Sequence, residues 1–596
     1  MSQKIESQKL FYSILGGANE VILKKEELNR INVFPVADGD TGSNLAALMQ
    51  SIINQLVPKD YSVKELLDQV AFASLVGARG NSGLIFAQYL NAVADNYAQS
   101  EDSPKGLIQS FPKAVKKAYA ALLEPREGTI LSVMSAWSES LAHSFEQEES
   151  FSKALIEAEI VAQQALSDTQ FQLSVLKKNR LVDSGAKGFY YFISGLTRAY
   201  CSTEEHEMLS KPASFQPEFI ISEHFETKEP LYRFCSEFMV TDLQEGLEFV
   251  RALLVQHGDS LVIAGNERQL KIHIHTNQPQ QVLQILEDKG TIIYQKVDDM
   301  RLQYEISKNR RSPIALITDS VADLPAEFLL EHQVQLLPMN IMVGDKNFLD
   351  KLTIDSATMG LKLVQDTKMS TAQPSIQAVD ALLSFLENKY EYVLVITVSS
   401  KLSGTYQLIN QRIQEKNLSP EWIRVIDSRL NSVGQGLVIQ QAIQLIERGY
   451  AFESLVYEIE KIINRTFIYV AVADLSAMTN SGRIPKFLGR IAQKLSLHPI
   501  VSLDAAGKAR LSGLAFSQRQ SMTKIRKKIT RLIEQKQIDS LAIGHVCVPD
   551  TAHQWYEELG SGVNKVSYIV DSSAAIAISA GMGSVAIAGI KEEKAK

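Results

Sequence analysis

The stretch NVFPVADGDTGSNL, Asn32–Leu45, places two carboxylates, Asp38 and Asp40, either side of one glycine and adds Thr41, Ser43 and Asn44 before the helical run SNLAALMQSIINQL. In a non-helical loop such a pair can converge on one hard cation beside neutral oxygens, the arrangement by which Mg²⁺ is shared between a few protein oxygens and substrate phosphates. The helix that follows would offer free N–H groups and a positive dipole end to an anion. The alternative is a plain surface turn with Ser43 or Asn44 as helix cap, and a DGD taken alone favours that alternative.

Around this loop, up to about Tyr200, apolar residues recur at three- and four-residue spacing, as in VKELLDQVAFASLV, SPKGLIQSFPKAVKKAYAALL and FSKALIEAEIVAQQALSDT. That period implies an all-α unit. Three further glycine-bearing loops interrupt it. GARGNSG, Gly77–Gly83, lets the backbone from Gly80 through Asn81, Ser82 and Gly83 approach a phosphate closely, while Arg79 can neutralise charge there. REGTILSV offers Gly128 and Thr129 at another helix start, and VDSGAKGF, Val182–Phe189, sets Asp183 before a pair of glycines. Singly, each such loop could be an ordinary helix C-cap.

At 596 residues the chain has length for about four domains, and 45% hydrophobic with 22% charged residues suits a globular protein with a sizeable core. A net charge of -7 and a pI near 5.9 give no basic face for nucleic acid, so no nucleic-acid partner is expected. Three scattered cysteines, Cys201, Cys235 and Cys547, are too few for a disulfide framework. The start shows no secretory signal and the apolar late stretch AAIAISAGMGSVAIAGI is broken by Gly and Ser, so the expected location is cytoplasmic, with at most peripheral membrane contact.

From Cys201 to about Phe225 the composition turns polar and aperiodic, as in a linker. A compact mixed segment follows, with strand-like SLVIAG and LKIHIHT and then a helix in PQQVLQILEDKG. In KIHIHT, His273 and His275 share one face of a strand, and with Cys235 they could hold Zn²⁺ together with one more ligand or water. Two hydrogen-bonded strand histidines are the other reading. Beyond the basic KNRRS, the runs IALITDS, YVLVITVSS and IRVIDS look like buried parallel strands, each ending in small polar residues where ligands of such sheets tend to sit.

In their order, DGDTGSN, RGNSG, EGT and VDSGAKG resemble the L-type domain of dihydroxyacetone kinases, and more closely the N-terminal domain of bacterial fatty-acid kinases, over roughly residues 10 to 200. The resemblance implies an α-helical barrel that binds ATP, with Mg²⁺ on Asp38 and Asp40, Asn32 at the place of a further acid, and nucleotide contacts from the loops carrying Thr41, Ser43, Asn44, Gly80–Gly83, Gly128, Thr129 and Asp183. Ala37 stands for the usual proline, and DSGAKG for a glycine-richer loop. The middle segment resembles the middle domain of fatty-acid kinases, which implies zinc on Cys235, His273 and His275.

From Pro313 onward, IALITDSVADLP, STAQPS, VSSKLSGTYQ, VIDSRLNSVGQG, NSGRIPK and HPIVSLDAAGK resemble the DegV family of fatty-acid-binding proteins, an α/β fold of two subdomains. SSKLSGTY follows a buried strand and opens a helix, so Ser400, Ser403 and nearby amides such as that of Gly404 can hydrogen-bond a carboxylate head. Thr371 offers a hydroxyl and Arg483 a charge to the same head. Ser579 stands where the family usually has a histidine, Met582 where it has proline, and Ala372 where serine is common.

The expected organisation is therefore multidomain: 1–205 an ATP/Mg-binding helical domain, 215–308 a small α/β middle domain, and 312–596 a DegV-like half. The implied reaction is transfer of the γ-phosphoryl group of ATP to the carboxylate of a fatty acid bound in the chain's own DegV-like half. Linkage on one chain would make the encounter intramolecular, at an effective concentration on the order of millimolar. The acyl phosphate would be used by an acyltransferase, and a homodimer is the expected assembly. The alternatives are a dihydroxyacetone-like small-molecule kinase with a lipid-sensing domain, and a non-catalytic lipid-binding or regulatory protein.

Overall fold

The computed structural model describes residues 7–34, 40–98, 103–122, 125–148, 150–202, 229–266, 268–363, 368–387, 389–474, 478–479, 497–560 and 568–593. The chain divides into two compact units, Met1–Ser307 and Lys308–Lys596. Most of the stretch read as a linker, and the sites Asp38 and Arg483, lie outside the described residues.

The first unit opens with α1 (Ser7–Leu23), α2 (Lys25–Arg30), α3 (Thr41–Gln55), α4 (Val63–Gly77), α5 (Gly80–Ala98), α6 (Pro104–Ala120), α7 (Ile130–Glu148), α8 (Phe151–Gln172), α9 (Ser174–Asn179) and α10 (Ser184–Cys201). Local chemistry sets several starts. Ser62 and Glu65 close a capping box on α4, and Ser103 caps α6 ahead of Pro104 in its first turn. The apolar stripes then meet: α1 packs along α10, α5 along α6 and α7 along α8. Their centre is aromatic, with Phe86, Tyr89 and Trp137 all edge-on to Phe189 at centroid distances of 5.3, 5.7 and 6.0 Å.

The same unit continues into β1 (Phe234–Thr241), β2 (Asp259–Asn266), β3 (Gln269–Thr276) and β4 (Thr291–Asp299), an antiparallel sheet in the order β2-β3-β1-β4. Period-two alternation gives it two unlike faces. Phe238, Val240, Ile263, Ile272 and Ile274 bury one face, where the helices Leu247–Leu254 and Pro279–Glu287 bring Val250, Leu254, Val282, Leu283 and Leu286. Each side chain so buried contributes roughly 1.5–3 kcal/mol. On the other face, Met239, Val262 and Ala264 join the core of the helical region. Two backbone donors fix this contact: Gly265 N–H bonds Gln88 Oε1 of α5, and Ile263 N–H bonds the Ala121 carbonyl after α6.

The strands of the second unit are β5 (Ile314–Asp319), β6 (Gln335–Leu337), β7 (Asn340–Val343), β8 (Lys346–Leu349), β9 (Met369–Ala372), β10 (Tyr392–Thr397), β11 (Ile423–Asp427), β12 (Thr466–Ala471), β13 (His498–Leu503), β14 (Ala509–Ala515), β15 (Ile538–His545), β16 (Tyr568–Asp571) and β17 (Val585–Lys591). The expected parallel sheet is present as β11-β10-β5-β6, with β5 buried at every position, as covering on both faces requires. A mixed sheet, β14-β13-β12-β17-β15-β16, and the antiparallel β8-β7-β9 complete the unit. The helix Ser432–Glu447 packs against β10, β12, β15 and β17, and so joins the two larger sheets.

Candidate functional site

In the helical region, the helix starts that follow the four loops singled out by sequence, those of α3, α5, α7 and α10, lie together. Asp40 occupies the N-cap position of α3 and its side chain makes no capping bond. Thr41, Ser43 and Asn44 are buried in the first turn of the helix, not in a loop before it, which corrects the reading of Ser43 or Asn44 as the cap. The early start follows from packing against α2. A Cβ on Gly42 would run into the Lys25 carbonyl, and Asn29 bonds both the amide and the hydroxyl of Ser43 at 3.0 Å. Asn32, also buried, sits just after α2.

Gly80 opens α5 with φ +58, and a Cβ there would lie 2.7 Å from Asn44 Nδ2. Asn81, Ser82 and Gly83 continue that first turn, and Ser82 Oγ lies 2.8 Å from where a Cβ on Gly185 of α10 would be. Asp183 caps α10 through the Ala186 amide at 2.7 Å and also accepts a backbone bond from Ile130, the first residue of α7. Gly128 and Thr129 precede that residue, with Gly128 N–H bonded to Ser132 Oγ. Burial pushes the Asp183 carboxyl up to about 7 against those two amide bonds. Helix N-termini gathered in this way present N–H groups and positive dipole ends to an anion.

The polar face of the middle sheet turns toward this region. Cys235, His273 and His275 offer ligand atoms that all lie within 4.8 Å of one another. His273 Nε2 is 3.2 Å from His275 Nε2, and Cys235 Sγ is 3.8 Å from His273 Nδ1. Burial pushes the Cys235 thiol well up, and the Asp298, Glu237 and Asp40 charges add to this. Burial lowers the Lys271 ammonium, and Arg79 lowers it further. Asp40 and Arg79 of the helical loops are thus within electrostatic reach of the sheet face.

Sequence reasoning missed most of that face. Glu237, Lys271, Tyr294, Lys296 and Asp298 alternate along β1, β3 and β4 on the side of Cys235 and the histidines. Lys271 Nζ lies 3.6 Å from Glu237 Oε2 and 4.1 Å over the Tyr294 ring. The signal was present as charged residues at period two inside strands that otherwise read as core.

In the second unit a cavity of about 810 Å³, its open mouth included, lies where the segments after β5 and β10 approach β12, β13 and β17. Its wall is apolar (Val398, Ile468, Val501 and Ala586 among others), with Thr371, Ser403 and Ser579 at it. Ser403 Oγ is 2.9 Å from Thr405 Oγ1, and Ser579 Oγ donates to the Ala575 carbonyl at 3.0 Å. Ser400 and Gly404 do not line it. The Ser400 amide bonds Asp427 at 3.1 Å, and Gly404 is the N-cap residue of the helix Thr405–Glu415 beside Gln373. Asn431, Ser432 and Ser502, which the sequence did not single out, do line it.

The middle of this geometry, residues 231–307, matches the family model for the FakA-like middle domain of fatty acid kinase, while 35–198 match the DAK2 domain and 313–592 the DegV family of uncharacterised proteins. Uncharacterised proteins of Staphylococcus aureus, from strains bovine RF122 / ET3-1 and USA300, are each 31% identical over 318 residues, which is 51% of this chain and 57% of the relative. The chain thus spans little more than half the length of the curated relatives it matches. Among solved structures, a fatty-acid-binding DegV family protein from Thermus thermophilus is 23% identical with TM-score 0.44, covering 47% of this chain and 99% of that one. DegV of Bacillus subtilis, a fatty acid binding protein, is 22% identical with TM-score 0.42, covering 47% and 100%. No described helix is long and apolar enough to cross a membrane.

Proposed function

We propose that this chain, which joins a DAK2 domain, a FakA-like middle domain and a DegV domain, phosphorylates a fatty acid held in its own DegV domain. A carboxylate oxygen of the fatty acid bonds to the γ-phosphorus of ATP. The bond from that phosphorus to the β–γ bridging oxygen breaks, its electron pair leaves with ADP, and the product is an acyl phosphate. The acceptor, with a pKa of about 4–5, is already ionised at neutral pH, so no general base is required. Positioning and charge neutralisation are what remains for the protein to supply.

The observation that carries this reading is the convergence of four helix N-termini at Asp40, Gly80–Gly83, Ile130 and Asp183. Their N–H groups and Arg79 would bind and orient the triphosphate. Mg²⁺ would be held by Asp40 with Asp38, and would supply neutralisation of triphosphate charge. The buried Asp40 carboxylate, not spent on capping α3, fits that donor role. At the other substrate, Thr371, Ser403 and Ser579 would donate hydroxyl bonds to the carboxylate head while the apolar wall takes the chain. Cys235, His273 and His275 would hold one structural Zn²⁺, a soft-and-imidazole donor set suited to that ion.

The test is Asp40→Ala. Mg²⁺-dependent ATP consumption should be abolished while fatty-acid binding survives, and turnover equal to the wild type would remove this loop from the mechanism.

A further inference from the structure

Two carboxylates stand behind the two histidines of the middle sheet, on the side away from their facing Nε2 atoms. The strand register places them there: Glu237 of β1 is directly opposite His273, and Asp259 of β2 directly opposite His275. His275 Nδ1 lies 3.3 Å from Asp259 Oδ1, and His273 Nδ1 lies 3.7 Å from Glu237 Oε1. A carboxylate beside Nδ1 keeps the ring proton on that nitrogen and leaves the lone pair on Nε2.

The two Nε2 atoms face each other across 3.2 Å, with the donor and acceptor roles set by the tautomers. With both ring protons held on Nδ1, the facing lone pairs would repel unless a cation lay between them. Tetrahedral Zn²⁺ with Zn–N bonds of about 2.0–2.1 Å has an N···N edge of roughly 3.3 Å, so the observed spacing suits that ion. We propose that Asp259 and Glu237 are positioning residues that fix the tautomer and orientation of His275 and His273 for zinc. This rests on the reading of Cys235, His273 and His275 as the ligand set.

The two carboxylates differ in setting. The Asp259 side chain is 49% exposed and can be replaced with little cost to the fold. Glu237 is buried against Lys271, and removing the acid alone leaves the Lys271 ammonium buried without its partner. Its test therefore changes both, as Glu237→Gln with Lys271→Met.

The experiment is a zinc titration of the full chain against a chromophoric chelator, with thermal unfolding of each metal-free protein as the control for folding. The wild type should bind one zinc. Asp259→Ala and the Glu237→Gln/Lys271→Met pair should each keep that stoichiometry and weaken affinity 10- to 100-fold, with Asp259→Asn intermediate because its amide oxygen can still accept the Nδ1 proton. Affinities within threefold of the wild type in both variants would overturn the proposal. A wild type that takes up no zinc, or a His275→Ala variant that binds it as tightly, would instead overturn the ligand set and the proposal with it.

Discussion

Asn44 and Gly80 are locked together: Gly80 holds φ +58 at the start of α5, and a Cβ on it would lie 2.7 Å from Asn44 Nδ2. This close approach sets the first turn of α3 against that of α5. Gly185, close to Ser82, sets the first turn of α10 there as well.

Gly80→Ala should therefore damage the proposed nucleotide site twice over. A left-handed backbone costs an L-residue roughly 1–2 kcal/mol, and the methyl group pushes on Asn44. Thermal unfolding with and without Mg²⁺ and ATP is the measurement. The expected result is a small loss of stability and disappearance of the ATP-dependent rise in Tm.

Asp183 should make the protein less stable as pH rises. Its folded pKa, pushed up to about 7 by burial, stands above the unfolded value of about 3.9, so the folded state holds the extra proton between those values. Stability is fully present below about 4 and is lost as pH climbs through about 7. For a fully buried group the loss is on the order of a few kcal/mol. Asp183→Asn keeps the cap on α10 and removes the charge. Denaturant unfolding at pH 5 and pH 8 should show a smaller fall for the variant than for the wild type, and equal falls would clear Asp183 of the effect.

The parallel strands and the glycine-bearing helix starts were legible because each has a local cause, either an apolar run or a loop feeding an amphipathic segment. Exact starts were not. Thr41, Ser43 and Asn44 joined α3 because α2 packs on Gly42 and Asn29 holds Ser43, contacts that no local pattern reveals. The pocket wall was legible at Thr371, Ser403 and Ser579, which the family resemblance marked, but not at Ser502, a single hydroxyl inside a strand. Glu237 and Lys271 carry no local signal of their pairing, since charges are usually expected outside and only the paired register shows that they answer one another.

Ser403→Ala should weaken fatty-acid binding roughly tenfold or more, since a hydrogen bond to a charged group is worth about 1.5–3 kcal/mol. Ser579→His should change head-group affinity or chain preference. Both residues lie at the cavity of the second unit, so ATP affinity should stay unchanged in both. Fatty-acid titration beside an ATP-binding control checks this. Unaltered lipid affinity in Ser403→Ala would place the carboxylate elsewhere.

Consumption of ATP by this one chain to activate the carboxylate of a fatty acid is tested most directly by incubating the purified full chain with Mg²⁺, ATP and a fatty acid in the presence of hydroxylamine, and measuring ADP and fatty acyl hydroxamate together. ADP release that requires the fatty acid and equals the hydroxamate formed is the expected result. ATP turnover indifferent to the fatty acid, or ADP without any hydroxamate, would contradict it.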